Sequence, residues 1–581
     1  MCETIDQLYK IRHSLAHLLA AAVLEVYPDA KPTLGPPVDN GFYYDFDFGD
    51  TKVTDADLKK FQKIMRKKLS SWHEFAPSEK TPDEAREFFA DNPYKLELIN
   101  EIAGKGEALT FYTSGDFTDL CRGGHVDDMA KEISADMFQL DLVAGAYWRG
   151  DEKNKMLTRI YGLAFESKDE LDQYLHLREE AKKRDHRKLG KELDLFTFSD
   201  LVGPGLPLFT PKGTLFRELV VDKIHNIQKN LGYQKVAIPH ITKADLYKTS
   251  GHYDKYGDDL FKVKGRSETE FCLKPMNCPH HTQIYASQMR SYKDLPLRYM
   301  EATTVYRDEQ AGELLGLSRV RSITQDDGHV FCRPDQIEQE VKNVIYVIKE
   351  FYDSLDMLQD GKYWVSLSVR GPETPEKYLG DPAVWDAAEA TLEKICEEEG
   401  LNYKKIEGEA AFYGPKIDFQ FKDAIGREWQ LGTAQLDFQM PARFELEYTD
   451  SDGSKKTPVM IHRAVAGSLE RFMAVAIEHF AGHFPVWLSP IQVAVLPVNQ
   501  DAHGEAAKKL HDELLDAGIR SELLASNDSL GKRVRQVAKQ KVPYQIVVGN
   551  EEIASQAYKL ESQNETKEGL SLDALIKTIK A

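Results

Sequence analysis

Two strand-like segments near the middle of the chain, "KIDFQFKD" (416–423) and "REWQLGTAQLDF" (427–438), follow one another with no helix between them. Strands joined this way pair antiparallel, because a parallel partner needs a crossover of a dozen or more residues. With "YWVSLSV" (363–369) and the long helical segment "QIEQEVKNVIYVIKEFYDSL" (336–355), they predict an α+β domain on an antiparallel sheet, flanked by helices, over 196–486. The C-terminal stretch reads differently. "VAVLPV" is an apolar strand, "AHGEAAKKLHDELLDAG" an amphipathic helix ending in Gly, and "YQIVVGN" another strand. Strand, helix and strand in alternation predict a small α/β domain with a partly parallel sheet over 487–581, entered at "FPVWLSPIQ". At the other end, "KDELDQYLHLREEAKKRDHRKLGKEL" is charged, free of Pro and helical in pattern, and turn-rich "GPGLPLFTPKGT" follows it. This places a basic linker helix at 181–195 and a first α+β domain over 1–180. The expected class is therefore multidomain, α+β and α/β.

The bulk numbers agree with that division. At roughly 100–200 residues per domain, 581 residues make about three to five domains. Hydrophobic content of 42% and charged content of 29% describe a soluble globular chain. No apolar run approaches the ~18–20 residues that span a bilayer, and "MCETIDQLYK" lacks the basic and apolar regions of a secretory signal. The expected location is cytoplasmic, with no membrane partner. Six cysteines (Cys2, Cys121, Cys272, Cys278, Cys332 and Cys396) make no disulfide framework in so long a chain. A net charge of −19 weighs globally against nucleic-acid binding, but binding follows local charge. Two basic runs stand out, "AKKRDHRKLGK" (181–191) and "GKRVRQVAKQK" (531–541), and each reads equally as a solvated helix face.

Five stretches carry chemistry. "CLKPMNCPHH" (272–281) reads as a zinc knuckle, a redox pair, or a fragment of a site completed from far away. "RHSLAHLLAAAVLEV" (12–26) is helical by period, so His13 and His17 share a face. "DLCRGGHV" adds Cys121 and His125 at the same spacing. These four groups fit a metal, a metal-free hydrolytic pocket that positions water, or a structural cluster; the Glu of an H-E-x-x-H helix is missing. "MEATTVYRDEQAGELLGLSRVRSITQDDGHVFC" (300–332) reads as strand, long loop, strand, with Arg307 and Glu309 ending the first and Arg319 and Arg321 opening the second. Arginines on such a platform suit planar contact with phosphates, and structural ion pairs are the plainer alternative. "IHRAVAGSLERFMAVAIEHF" (461–480) brings His462, Ser468, Glu470 and Arg471, the last near a helix start.

Taken together, these motifs resemble a known family. "VYRDE" with "LLGLSRVR", "GSLERF", and "LGYQKVAIPHI" (231–241) are similar to the second, third and first motifs of class II aminoacyl-tRNA synthetases. More narrowly, "LKPMNCPHH", "TQDDGHVFC", "AFYGPKIDF", "WQLGTAQLDF" and "MIHRA" resemble the threonyl-tRNA synthetase family, and "RHSLAH" and "CRGGH" resemble its editing domain. The resemblance spans essentially the whole chain. It implies a ligase that forms threonyl-adenylate from L-threonine and ATP, passes threonine to the 3′ end of tRNA(Thr), and hydrolyses mischarged seryl-tRNA(Thr). The implied domains are editing (1–180), catalytic (196–486) and anticodon-binding (487–581), in a homodimer formed through the first motif.

The implied residues follow from the same match. Cys278, His329 and His462 are the implied ligands of one Zn²⁺ per chain, brought together from three strands, with Cys272 a small buried residue and His280 and His281 beginning a helix. Arg307, Arg319 and Arg471 would hold the phosphates of ATP, with Mg²⁺ assisting, and Glu309 would contact adenine. Gln325, Asp327, Tyr413, Gln435 and Arg307 would complete the threonine pocket, with Met276, Lys416, Gln430, Thr433 and Ser468 around it. His13, His17, Cys121, His125, Tyr44, Lys95 and Asp119 would form the editing site, read by this resemblance as metal-free. Selectivity explains the two sites. An apolar pocket separates isosteres such as valine and threonine by only about 10²-fold, whereas a site that binds the hydroxyl reaches about 10⁴–10⁵. Serine keeps the hydroxyl and lacks one methyl, worth only ~1–3 kcal/mol, so a second hydrolytic sieve is expected.

Some features depart from the pattern. The family's further small N-terminal domain is expected to be absent. Asp308 stands where Asn is commoner and would add negative charge beside the phosphates. The tail "KLESQNETKEGLS" (559–571) is less basic than an anticodon reader would suggest. Three rival readings remain at this level: a synthetase-like regulator, a stand-alone deacylase on a degenerate body, and a class II relative for another amino acid such as proline.

Overall fold

The computed structural model describes residues 6–266, 268–525 and 528–581, so Cys2 lies outside the described residues. The chain divides into two compact units, 1–179 and 180–581.

The first unit is built on the helix Gln7–Val26, which is buried on every side from Ser14 to Val23. A helix apolar all round belongs in an interior. Leu15, Leu18 and Leu19 pack with Phe42, Phe46, Phe61, Phe138 and Ile160. Phe42 and Phe46 lie on Gly41–Asp47, which pairs antiparallel with Met156–Ala164, which pairs in turn with Phe138–Tyr147. A second antiparallel sheet, Ala76–Lys80, Leu109–Ser114 and Phe117–Leu120, carries Cys121 just past its last strand.

An eight-stranded sheet organises the second unit. Its order is Gln234–Lys235, Leu297–Tyr306, Ser322–Cys332, Val459–Ser468, Glu428–Asp437, Lys416–Lys422, Tyr363–Val369 and Tyr403–Glu407. The six inner strands run antiparallel, as expected. Both edge strands are parallel to their neighbours, which the strand pattern alone did not indicate. The physical reason is crossover length: the helix Pro382–Glu398 lies between Tyr363–Val369 and Tyr403–Glu407 and lets the chain return in the same direction.

Strand alternation divides the residues between the two faces of this sheet. Along Ser322–Cys332, Asp326 and Val330 share the face packed against helices, and Gln325, Asp327 and His329 share the other. On the helix side, Val330, Leu436, Ile461 and Val465 join one core with Val220 and Ile224 of Pro211–Gln228, Val344 and Ile348 of Ile337–Asp353, and Phe472 of Leu469–His479. One ion pair is buried there. Arg463, 1% exposed, donates to Asp326 at 2.7 Å and to Gln228 at 3.0 Å, and the other oxygen of Asp326 accepts the N–H groups of Val465 and Ala466. Removing one partner of such a pair strands a buried charge and costs about 3–5 kcal/mol. Asp326→Ala is therefore expected to lower the thermal unfolding midpoint sharply, and replacing both partners with apolar residues to recover much of the loss. Equal midpoints for the single and double variants would contradict this account.

The basic run at 181–191 is not the single linker helix expected over 181–195. The helix Lys168–Arg184 ends, and Asp185 caps a separate helix, His186–Glu192. His186 turns inward, donating from Nδ1 to Glu478 at 2.6 Å while its Nε2 accepts the N–H of Leu317 at 3.0 Å. The second basic run is mixed in the same way. On Leu530–Gln540, Arg533 is buried and donates to the carbonyl groups of Leu524, Asp528 and Val498. That helix belongs to the C-terminal five-stranded sheet, where Ser521–Leu523, Val493–Pro497 and Tyr544–Val548 are parallel and Tyr558–Ser562 and Thr566–Leu570 complete it antiparallel. Among the described residues, no helix is long and apolar enough to cross a membrane.

Candidate functional site

Register assembles the site on the open face of the eight-stranded sheet. His329 stands opposite His462, and His462 opposite Gln435; Asp327 stands opposite Ala464, and Ala464 opposite Thr433. Lys416 pairs with Gln435 and Asp418 with Thr433 on the next strand. Between Gln325 and Asp327 the register to the neighbouring strand shifts through a bulge. Gly467 sits there at φ +64°, where a Cβ would stand 2.9 Å from the carbonyl oxygen of Leu431. A left-handed glycine at a bulge redirects the strand. Ser468 can then cap the helix Leu469–His479, its hydroxyl accepting the N–H of Arg471 at 3.2 Å. This holds Arg471 in the first helical turn.

Cys278, His329 and His462 offer ligand atoms that all lie within 4.8 Å of one another, and all three residues are buried. Nε2 of His329 stands 3.1 Å from Nδ1 of His462. The expectation of three converging strands needs correction: His329 and His462 lie on strands, but Cys278 is the first residue of the helix Cys278–Ala286. That position suits a metal-binding thiolate, because a helix N-terminus favours negative charge. Without a cation, burial drives the Cys278 thiol well above its usual range and keeps His329 well below its own. Two imidazoles and a thiol thus converge in a buried site, a donor set that fits Zn²⁺ with room for a further ligand. Cys272 is a buried strand residue, and His280 and His281 stand in the first turn of the helix, both as expected.

Around the three ligands, Tyr413 donates to Gln435 at 3.2 Å and its ring lies 5.4 Å from that of His462. Asp327 accepts from Asn277 at 2.9 Å, and burial raises its carboxyl. Lys416, Gln430 and Thr433 do not stand free: all three bind the buried carboxylate of Asp418. Sequence reasoning missed Asp418, although its place two residues from Lys416 on one strand face was readable. It also missed His252, buried with Nε2 3.9 Å from the Cys278 sulfur and held by burial at a pKa of about 4.

The arginines divide into paired and unpaired. Arg319 is bound to Glu309 at 2.6 Å and to Glu313 at 3.2 Å, so the carboxylate expected at adenine here faces an arginine. Asp308 meets Arg321 at 3.3 Å, which offsets the negative charge expected beside the phosphates. Arg307 has Tyr256 and Met276 as neighbours, at 3.3 and 3.4 Å from Nη2, and its Nε is buried without a partner. Arg471 donates to the carbonyl of Ser318 at 3.2 Å. Burial lowers its pKa, and repulsion from Arg307 and Arg319 adds to that effect. The three cations therefore face a common region.

The first unit holds a second cluster. His13, His17, Cys121 and His125 have ligand atoms within 4.8 Å of one another. The sulfur of Cys121 is 3.4 Å from His13 Nε2 and 3.3 Å from His125 Nε2. Burial pushes the Cys121 thiol up to about 12 and lowers all three histidines, so the cluster is neutral. Beside it, Lys95 is 2% exposed and pairs with Asp119 at 2.5 Å, and Tyr44 donates to the same carboxylate. His13, His17, Tyr44, Lys95, Asp119 and Cys121 all line one cavity of about 410 Å³. Residues expected together are therefore found together.

A sheet of this kind with arginines converging at one end, in a chain with a separate unit that has its own cavity, defines a class II aminoacyl-tRNA synthetase carrying an accessory domain. Comparison with known proteins agrees. Residues 261–480 match the tRNA synthetase class II core domain (G, H, P, S and T), 492–581 an anticodon binding domain, and 109–161 the threonyl and alanyl tRNA synthetase second additional domain. A threonine–tRNA ligase of Gloeobacter violaceus is 51% identical over 95% of this chain and 88% of its own length. One from Cytophaga hutchinsonii is 49% identical over 93% and 83%. A crystal structure titled as the RNA binding domain of threonyl-tRNA synthetase from Cryptosporidium parvum superposes with a TM-score of 0.64 at 36% identity, covering 68% of this chain and 98% of its own. The chain belongs to the threonyl-tRNA synthetase family, with a charging core and an editing domain.

Proposed function

We propose that Cys278, His329 and His462 hold one Zn²⁺ that selects L-threonine by its amino and hydroxyl groups. The observation that carries this reading is the convergence of three buried donors beside Tyr413, Gln435 and Asp327. Bound there, zinc supplies a Lewis-acid position for the threonine hydroxyl, which valine lacks. Asp327 faces the amino group, and Gln325, Met276 and Ser468 complete the pocket. Lys416, Gln430 and Thr433, ordered by Asp418, close its edge. Arg307 holds the α-phosphate of ATP, and Arg319 and Arg471 hold the outer phosphates with Mg²⁺ brought by ATP. Glu309 turns from Arg319 to adenine when the nucleotide binds. Catalysis of this kind is mostly positioning and electrostatic stabilisation.

The editing domain, 1–180, hydrolyses seryl-tRNA(Thr) with a water positioned by His13, His17, Cys121 and His125. Lys95, Asp119 and Tyr44 orient the ester. Residues 181–195 link this domain to the catalytic domain, 196–486, and 487–581 bind the anticodon arm. The segment 231–241 forms a homodimer interface, and the enzyme works in the cytoplasm.

Metal analysis of the purified chain, paired with amino-acid-dependent ATP–pyrophosphate exchange, tests this reading. One zinc per chain is expected. Valine should be rejected by about 10⁴–10⁵-fold against threonine, and serine by only about 10–200-fold. A zinc-free active enzyme, or valine close to serine, would overturn it.

A further inference from the structure

His281 follows Cys278 by three residues on the same helix, so the two side chains share a face. It is fully buried, and its Nδ1 lies 2.7 Å from Nδ1 of His329. Its Nε2 points toward Oε2 of Glu301 at 3.6 Å, within ion-pair range, and neither of those two buried atoms has a hydrogen-bond partner. Glu301 stands opposite Asp327 on the neighbouring strand, and its Oε1 accepts the N–H of Ile238 at 3.1 Å, which fixes the carboxylate. Across the site, Nε2 of His462 is 2.9 Å from Asp437 Oδ2, while Oδ1 of Asp437 accepts the N–H groups of Gln439 and Met440. Each histidine of the trio thus has a partner behind it that leads to a carboxylate.

A neutral imidazole has one N–H and one lone pair. Asp437 only accepts, so it draws the His462 proton to Nε2 and leaves Nδ1 as a lone pair facing the trio. Glu301 likewise draws the His281 proton to Nε2. His281 Nδ1 then accepts, so His329 carries its proton on Nδ1 and presents the Nε2 lone pair inward. We propose that Glu301 and His281 are positioning residues that present His329 Nε2 to zinc, as Asp437 presents His462. The proposal rests on the zinc reading of Cys278, His329 and His462. Partners behind a ligand are typically worth about 10–100-fold in metal affinity.

Zinc competition against a chromophoric chelator, on the full-length chain, tests it. Glu301→Gln keeps the shape and an acceptor for Ile238 but can turn an N–H toward His281, which reverses the sequence of protons. It should weaken zinc binding by about 10–100-fold, as should His281→Ala. His281→Asn, which keeps an acceptor near the Nδ1 position, should recover much of the loss, a rescue that a packing role would not produce. Wild-type affinity in both Glu301→Gln and His281→Ala overturns the proposal. If His281→Ala fails to fold, Glu301→Gln decides alone. A wild-type chain that binds no zinc would instead overturn the reading of the metal site.

Discussion

Replacing Arg307 with Ala is expected to lower threonine-dependent ATP–pyrophosphate exchange by about 10²–10³-fold, the range for losing one preorganised charge contact at a transition state. Arg307 is a partly buried cation that has no carboxylate within ion-pair distance among the described residues, and its Nε has no partner. Other arginines of this domain are satisfied: Arg319 by Glu309, Arg321 by Asp308, Arg463 by Asp326. A cation left uncompensated beside Arg471 and Arg319 is arranged for an anion that arrives from outside. Its guanidinium centre lies 5.0 Å from the ring centre of Tyr256, which holds the group while leaving its donors available. Lysine at this position should recover little, because a point charge cannot reproduce planar, two-donor contact with a phosphate. Exchange within tenfold of the parent in Arg307→Ala would remove this residue from the phosphate site.

The second expected result is a double dissociation. His462→Ala should abolish threonine activation and leave hydrolysis of seryl-tRNA(Thr) at the parent level. Lys95→Ala should do the reverse, lowering hydrolysis by about 10²-fold, as for misplacing a bound substrate. The two clusters share no residue and lie in separate compact units. His462 supplies one of three ligand nitrogens or sulfurs and also anchors the Tyr413 side of the pocket. Lys95 holds Asp119 and Tyr44 in a buried network that, among the described residues, lies within the first unit. Deacylation assays on preformed seryl-tRNA(Thr), run beside exchange assays on the same preparations, check both arms. Hydrolysis lost in His462→Ala, or charging lost in Lys95→Ala, would show that the sites are not independent.

The editing cluster was the more legible of the two in sequence. His13 and His17 are four apart on a helix that period alone identifies, and Cys121 and His125 repeat the spacing across a short turn. The trio Cys278, His329 and His462 was legible only through resemblance, since its two histidines lie 133 residues apart. Local crowding in "CLKPMNCPHH" pointed at four candidate ligands, and the fold brings one of them, Cys278, to His329 and His462. His281 belongs to that run but stands behind a ligand, a role that its position in sequence could not reveal. Asp437 and Glu301 gave no signal, and Asp418 gave only its place two residues from Lys416 on one strand face. Each is an ordinary acidic residue on a strand, and its importance comes from the neighbour it meets across the sheet.

By itself the sequence determined the order of the domains, the helix that carries the first two histidines, and the antiparallel pairing of the inner strands of the central sheet. These follow from local periods and connection lengths, which a short window contains. Only the tertiary structure decided which residues face one another, because register is set by pairing between distant segments. A strand's period of two fixes which face a side chain takes, but the neighbouring strand fixes its partner. His329 therefore meets His462, and Glu301 comes within reach of His281, through long-range register. The bulge at Gly467, which sets Ser468 and Arg471 in place, belongs to the same class of decision.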